Sequence, residues 1–340
     1  MNHRLDITKK NILHYRYARF GYKNGKNGSF ILPKQSLYKD DLKLNWGQTM
    51  NARLQELETE AILLIRETYA AFKTPVVLYS VGKDSSVLIH LVSKAFYPMK
   101  PPMPLLHIDT GFKFPEMIEF RDRRAAELGF DLVVRRNEAA IAAGTNPHDH
   151  GIGSCCGALK TEALLSALEE GGYDVALGGA RRDEEASRAK ERFFSHRDSF
   201  GGWEPRQQRP EPWFHFNTLL DDGESMRAFP LSNWTEQDIW DYIQAESIEL
   251  VDLYFARPRP VKRQGEQLIP VINADEASED VSIRYRTLGC YHCTAAQASS
   301  ADTLEAIITE TAQAQLSERS SRLIDHGVSS MEDKKREGYF

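Results

Sequence analysis

Residues 76–92 run Val-Val-Leu-Tyr-Ser-Val-Gly-Lys-Asp-Ser-Ser-Val-Leu-Ile-His-Leu-Val, an apolar strand that breaks at a small polar loop and re-enters an apolar, helix-like run. A short strand feeding directly into a helix buries both elements only in layered α/β packing. The same alternation continues, with strands expected at 76–79, 104–108, 131–134 and 174–177 and helices at 85–96, 115–128 and 160–170. Leu54, Leu57, Ala61, Leu64, Ile65, Thr68 and Phe72 add a helical stripe over 52–72. The expected fold class is therefore α/β, a Rossmann-like parallel sheet with helices on both faces. Ligands of such sheets sit at the carboxyl ends of the strands. There stand the loop at 80–86, the segment His107-Ile108-Asp109-Thr110-Gly111, and Gly178-Gly179-Ala180-Arg181-Arg182-Asp183-Glu184.

The first loop has the chemistry of a pyrophosphate cradle. Gly82 is expected to supply the sharp turn, Ser80, Ser85 and Ser86 hydroxyl donors, and Lys83 a point charge. The free amides of the following helix face the phosphates. The spacing is not that of a Walker A loop. In the charged run Arg181–Arg197, Arg181, Arg182 and Arg188 follow a Gly-Gly strand end and are assigned to phosphate or a sulfate-like oxyanion. Lys190, Glu191 and Arg192 read as a solvated, salt-bridged helix face.

The cysteines form two pairs, Cys155-Cys156 and Cys290-x-x-Cys293. Scattered buried thiols would not pair in this way, and a chain without signs of secretion does not point to disulfides. A tetrathiolate metal site is the leading expectation. Zinc is one candidate, although a vicinal pair is unusual for structural zinc; a [4Fe–4S] cluster also matches the thiolate count. His292 reads as a neighbour rather than a ligand.

At 340 residues, 41% hydrophobic and 27% charged, the composition is that of an ordinary soluble protein. No apolar run reaches a membrane span and no signal-peptide core precedes the first helix, so a cytoplasmic location and no membrane partner are expected. The net charge of −6 is uneven: residues 1–45 carry ten Lys and Arg against three Asp, leaving −13 on the remainder. Tyr15, Tyr17, Phe20, Tyr22, Phe30 and Tyr38 interleave with those basic residues, a pattern open to nucleic-acid contact or to a solvated extension packed on a protein. The organisation read from this is a basic, aromatic extension over 1–50, a nucleotide-binding core over 51–250 and a C-terminal region over 251–340 that completes the thiol site and ends in a tail.

From about residue 52 to 340 the chain resembles the adenine-nucleotide α-hydrolase (PP-loop ATP pyrophosphatase) superfamily, in the branch of sulfate adenylyltransferase small subunits and adenylylsulfate (PAPS) reductases. The resemblance rests on Leu-Tyr-Ser-Val-Gly-Lys-Asp-Ser-Ser, Leu-Leu-His-Ile-Asp-Thr-Gly-Phe-Lys-Phe, Gly-Gly-Ala-Arg-Arg-Asp-Glu-Glu, Phe-Pro-Leu-Ser-Asn-Trp-Thr-Glu-Gln-Asp-Ile-Trp at 229–240, Arg-Tyr-Arg-Thr-Leu-Gly-Cys at 284–290, and the closing Lys-Lys-Arg-Glu-Gly-Tyr-Phe. It implies cleavage of ATP to AMP and pyrophosphate, with Ser80, Gly82, Lys83, Asp84, Ser85 and Ser86 on the pyrophosphate and Asp84 on Mg²⁺. It also implies His107, Asp109 and Gly179 around adenosine, and Arg181, Arg182 and Arg188, with Lys160, at the α-phosphate or acceptor. Trp234 and Trp240 match the family and read as core.

Cys155-Cys156-Gly-Ala-Leu-Lys-Thr-Glu and Gly-Cys290-Tyr-His-Cys293-Thr depart from the adenylyltransferase pattern and resemble the cluster-binding segments of the reductases. The reductases also use a further nucleophilic cysteine, which is absent after Cys293. An ATP-cleaving loop, a [4Fe–4S] cluster and no spare thiol lead to the expectation of a cluster-dependent sulfurtransferase, similar to the ATP-pyrophosphatase components of bacterial DNA phosphorothioation systems. Its partners would be a cysteine desulfurase as sulfur donor, DNA directly or through a partner subunit, and other phosphorothioation proteins. The alternative is a sulfate adenylyltransferase small subunit with a GTPase large subunit as partner; adenylylsulfate reduction ranks third.

Overall fold

The computed structural model describes residues 50–184, 186–265, 267–272, 278–294, 296–314 and 318. These belong to one compact unit, Leu42–Phe340. The extension expected over 1–50 lies, apart from Met50, outside the described residues, as do the closing residues 334–340.

In chain order the elements are α1 (Ala52–Ala71), β1 (Pro75–Leu78), α2 (Lys83–Phe96), β2 (Leu105–Ile108), α3 (Pro115–Glu127) and β3 (Leu132–Arg135). There follow α4 (Glu138–Ala142), α5 (Pro147–Cys156), a π-helical turn over Gly157–Glu162, α6 (Ala163–Glu170) and β4 (Val175–Leu177). Then come α7 (Ala186–Glu191), β5 (Phe194–Arg197), β6 (Ser225–Ala228) and α8 (Glu236–Glu246). The last are β7 (Arg257–Gln264), β8 (Gln267–Pro270), β9 (Glu279–Arg284), β10 (Gln297–Ala298) and α9 (Leu304–Gln313).

The main sheet has the order β3-β2-β1-β4-β6-β5, parallel throughout except for β5, which runs antiparallel to β6. The short strands are apolar on both sides because both faces are covered. Val77, Leu105, Leu177 and Met226 join the large core that includes α1, α2 and α8. Val76, Leu106 and Ala176 point the other way, onto Leu164, Ala167 and Leu168 of α6. The chain leaves β1 toward β2 and β3, then returns to place β4 on the opposite side. That reversal opens a crevice between the carboxyl ends of β1 and β4.

Helix α1 presents the expected stripe: Leu54, Leu57, Ala61, Leu64, Ile65 and Thr68 are buried, and the Asn51 side chain accepts from the Leu54 amide. Arg53 donates to both carboxylate oxygens of Asp238 at 2.7 Å, fixing α1 to the start of α8. Trp234 and Trp240 are fully buried, as core aromatics should be.

Two sequence expectations are corrected. Arg181–Arg197 is not one solvated helix: only Ala186–Glu191 is helical, Arg192 adopts φ +59°, and Phe194–Arg197 forms an edge strand. Glu191 is 1% exposed and accepts from Arg197 at 2.6 Å, while Lys190 and Arg192 are exposed as read. The second difference is a four-stranded antiparallel sheet, order β10-β9-β7-β8, beyond the parallel strands expected from the sequence. β7 carries Pro258 and Pro260, a residue type uncommon inside a sheet because it cannot donate to the ladder. Both fall where β7 pairs only with β9; pairing with β8 begins at Val261.

Candidate active site

The loop from β1 to α2 is shaped differently from the expectation. The left-handed residue is Val81, at φ +67°, whereas Gly82 has φ −73° and caps α2. A β-branched side chain at positive φ is a backbone outlier of the kind held in place by its surroundings at functional sites. Lys83 N–H donates to the Tyr254 hydroxyl at 2.7 Å, and Ser85 Oγ donates to the Gly82 carbonyl at 2.9 Å. At the mouth of β4, a Cβ on Gly179 would lie 3.1 Å from the Asp84 carbonyl carbon. Only glycine lets the end of β4 approach the first turn of α2 so closely without a shift.

The principal cavity is lined by Ser80, Gly82, Lys83, Asp84, Ser85, His107, Gly179 and Arg188, among others, so these expected site residues converge. Arg181 joins them from behind, fully buried, with Nε 2.6 Å from Asp84 Oδ1. Besides Arg181, three expected residues do not line it. Ser86 is buried in the first turn of α2. Asp109 accepts from the Gly111 amide and lies 3.4 Å from Arg136. Arg182 turns away, donating to Ser232 Oγ at 2.9 Å with its guanidinium 4.9 Å from the Phe193 ring centre.

A buried charge network ties the loop down. Lys83 contacts Asp84 at 3.2 Å and also Glu318, and Arg181 contacts Glu318 as well. Burial opposes the Lys83 charge, but Asp84, Glu318 and Glu236 outweigh it and hold its pKa above the usual lysine range. Asp84 is depressed despite burial because Lys83 and Arg181 favour its carboxylate. Burial pushes Glu318 up to about 7, against the opposing pull of Lys83 and Arg181. Glu318 was missed in the sequence. It sits in a polar stretch with no motif or periodicity to mark it. The ligand oxygens of Asp84, Glu184 and Glu318 lie within 4.8 Å of one another.

His107 is 1% exposed and held in one tautomer: Nδ1–H donates to the Tyr79 carbonyl at 2.8 Å. Burial and the nearby Lys113 lower its pKa to about 3, so it is neutral at ordinary pH. Nε2 is then an acceptor, and it has no partner among the described residues. It meets the cavity where an amino or hydroxyl donor would satisfy it.

The four cysteines come together in a second, smaller cavity with Thr110, Phe112, Pro147, Leu159 and His292. Helix α5 supplies Cys155 and Cys156. Cys290 caps, and Cys293 ends, a short helical turn at Tyr291–Cys293 that is zipped to the segment after β2. Lys113 forms a β-bridge with Cys290, Tyr291 N–H donates to the Phe112 carbonyl at 2.9 Å, and Thr110 Oγ1 lies 3.0 Å from Cys290 Sγ. His292 packs against Phe112 and His148. The hydrogen bond from Cys293 depresses Cys290, helped against burial by Lys113, Thr110 and Lys160. Burial raises Cys155 to about 11. Among the described residues the ligand atoms that converge within 4.8 Å belong to the three carboxylates, not to the thiols. Four thiols lining one cavity are a donor set that a zinc ion or an iron–sulfur cluster can use.

The chain matches the model of the phosphoadenosine phosphosulfate reductase domain over residues 74–296. It is similar to sulfate adenylyltransferase subunit 2 of Akkermansia muciniphila, with 53% identity over 296 residues covering 85% of this chain and 98% of the relative. The protein of the same description from Mesorhizobium japonicum is 56% identical over 294 residues, 84% of this chain and 98% of the relative. A phosphate complex of PAPS reductase from Candida auris is similar at 18% identity, covering 61% of this chain and 93% of that one, with a TM-score of 0.41. The fold class rests on the sheet order rather than on that last likeness.

Proposed function

The chain belongs to the family of sulfate adenylyltransferase subunit 2 proteins, and from that premise we propose that it transfers AMP from ATP to sulfate, releasing pyrophosphate. The observation that carries this reading is the convergence of Ser80, Lys83, Ser85, Gly179 and Arg188 on one cavity at the strand-order reversal. A sulfate oxygen attacks the α-phosphorus, the bond from that phosphorus to the bridging oxygen breaks, and its electron pair leaves with pyrophosphate. No electron is exchanged with a cofactor. Lys83, the serine hydroxyls and the amides of α2 stabilise the charge that grows on the leaving pyrophosphate. Arg188 and Lys160 neutralise the α-phosphate and the incoming oxyanion. Asp84 and Glu184 are the carboxylates placed to hold the Mg²⁺ that accompanies ATP. Glu318 occupies the cations that the phosphates need, so ATP displaces it from Lys83. His107 Nε2 is the acceptor assigned to the adenosine moiety.

The family description points to a second kind of subunit, and the partner proposed here is the GTPase large subunit of sulfate adenylyltransferase. The test is isotope exchange between ATP and pyrophosphate by the full-length protein. Exchange that requires sulfate is expected; exchange indifferent to sulfate would overturn the assignment.

Cys155, Cys156, Cys290 and Cys293 are the residues that would hold a [4Fe–4S] cluster. When bound, such a cluster supplies electron or sulfur transfer beside the acceptor end of the cavity. The gathering of four thiols there also favours a second reading, cluster-dependent sulfur transfer to an activated acceptor with a cysteine desulfurase as donor. The DNA phosphorothioation expectation is one form of it. The basic arm that prompted DNA lies outside the described residues, and the relatives favour sulfate. Pyrophosphate release stimulated by DNA and not by sulfate would reverse that ranking.

A further inference from the structure

The cations of the principal cavity fall into two groups. Lys83 and Arg181 are bound to Asp84 and Glu318, and Arg188 lies 3.4 Å from Glu184. Lys113 lines the same cavity, is half-buried, and has no carboxylate within salt-bridge distance among the described residues. Lys160 lines it too, with contacts of its own. The backbone bridge from Lys113 to Cys290, and the place of Lys160 in the helical turn that follows Cys156, put both at the end of the cavity next to the thiols. Lys113 is also held firmly. Its backbone bridges Cys290, and the neighbouring Phe112 carbonyl accepts from Tyr291. The group beside the Lys113 ammonium is the Cys290 sulfur rather than a carboxylate, so an oxyanion entering the cavity meets an ammonium that no described carboxylate neutralises.

We propose that Lys113, together with Lys160, is the seat for the tetrahedral oxyanion that attacks ATP. This rests on the adenylyltransferase reading and adds to it the residue that selects the acceptor. Two ammonium groups suit a small divalent oxyanion whose charge is spread over all its oxygens. Ammonium is a compact charge without the fixed fork of a guanidinium, and so imposes no preference for a planar carboxylate. The zipped segment 110–114 gives the seat its rigidity, because Lys113 and Cys290 share one backbone bridge.

The test is calorimetric titration of sulfate into the full-length protein, purified anaerobically and saturated with Mg²⁺ and the non-cleavable α,β-methylene analogue of ATP. Sodium chloride at matched ionic strength is the control. Wild type should bind sulfate, Lys113→Gln should weaken it about tenfold or more, as loss of a charge-assisted contact does, and Lys113→Arg should restore most of the loss. Affinity for the analogue within about twofold of wild type marks the variant as folded. A second measurement needs no variant. Sulfate, and not chloride, should slow acylation of Lys113 in the wild-type complex about tenfold or more, read by peptide mass spectrometry. Sulfate binding unchanged by Lys113→Gln, no sulfate binding by wild type, or no protection of Lys113 would each overturn the seat. Exchange dependent on sulfate alongside any of those results leaves the adenylyltransferase reading standing without it. Binding and protection with no sulfate-dependent exchange would do the reverse.

Discussion

At the phosphate end of the cavity, Lys83 and Arg181 are already neutralised by Asp84 and Glu318, whereas at the thiol end Lys113 meets no carboxylate among the described residues. The first arrangement is a closed ionic network, assembled at the strand ends and filled by the protein's own carboxylates. The second is an open seat built from a loop zipped to a cysteine turn. The difference shows how one cavity can receive two anions without confusing them. A polyphosphate with its own Mg²⁺ can compete for paired cations, while a small oxyanion is better served by an ammonium such as Lys113, which no described carboxylate neutralises.

Four experiments would break or sharpen that contrast. Lys83→Ala carries the largest effect. ATP–pyrophosphate exchange should fall about 10³-fold or more, and urea denaturation should show roughly 3 kcal/mol of lost stability, because Asp84 and Glu318 are left to share the one buried cation Arg181. Exchange within tenfold of wild type would dissolve the assignment of the phosphate end. Next, Cys155→Ser with Cys156→Ser should abolish iron content and visible absorbance after anaerobic purification, with affinity for the ATP analogue changed by less than about twofold. A parallel collapse of nucleotide affinity would mean that the two ends are one mechanical unit.

The third effect is on stability against pH. His107 has a folded pKa of about 3, well below the usual histidine value. Its unfolded form therefore takes up a proton below pH 6.5 that the native form refuses. Its contribution is fully present above that pH and is lost as pH falls toward 3, by about 1.4 kcal/mol per unit. Chemical denaturation of His107→Gln across this window should show a slope shallower by about one proton; parallel slopes would place the histidine in water. The smallest effect belongs to Arg182→Ala. Its guanidinium is engaged with Ser232 and Phe193, so exchange should stay within about threefold of wild type. A loss of a hundredfold would return Arg182 to the site.

The phosphate end was legible in the sequence because its chemistry is contiguous. A strand, a serine-rich turn with one lysine, and a helix specify their own geometry and their place at a strand end. The thiol end was half legible, since paired cysteines announce a shared site but not the turn that carries two of them. What escaped depends on direction and distance rather than on residue type. Arg181 and Arg182 are adjacent yet face opposite ways, a difference that one position in a loop makes and no pattern records. Glu318 reaches Lys83 across 235 residues of separation, with nothing local to mark it. The turn was assigned to Gly82 by composition, while tertiary contacts force it onto Val81. The four-stranded antiparallel sheet was hidden behind two prolines that fall where β7 pairs with β9 but not with β8.

The hydrogen bond from the Lys83 amide to the Tyr254 hydroxyl spans 171 residues of chain. The nucleotide loop therefore takes part of its shape from the segment that leads into the second sheet. Lifted out as a strand–loop–helix cassette and grafted onto another parallel sheet, it would arrive with Val81 unsupported and one amide of α2 pointing at nothing. The smallest portable unit of this site is a loop with its distant phenol.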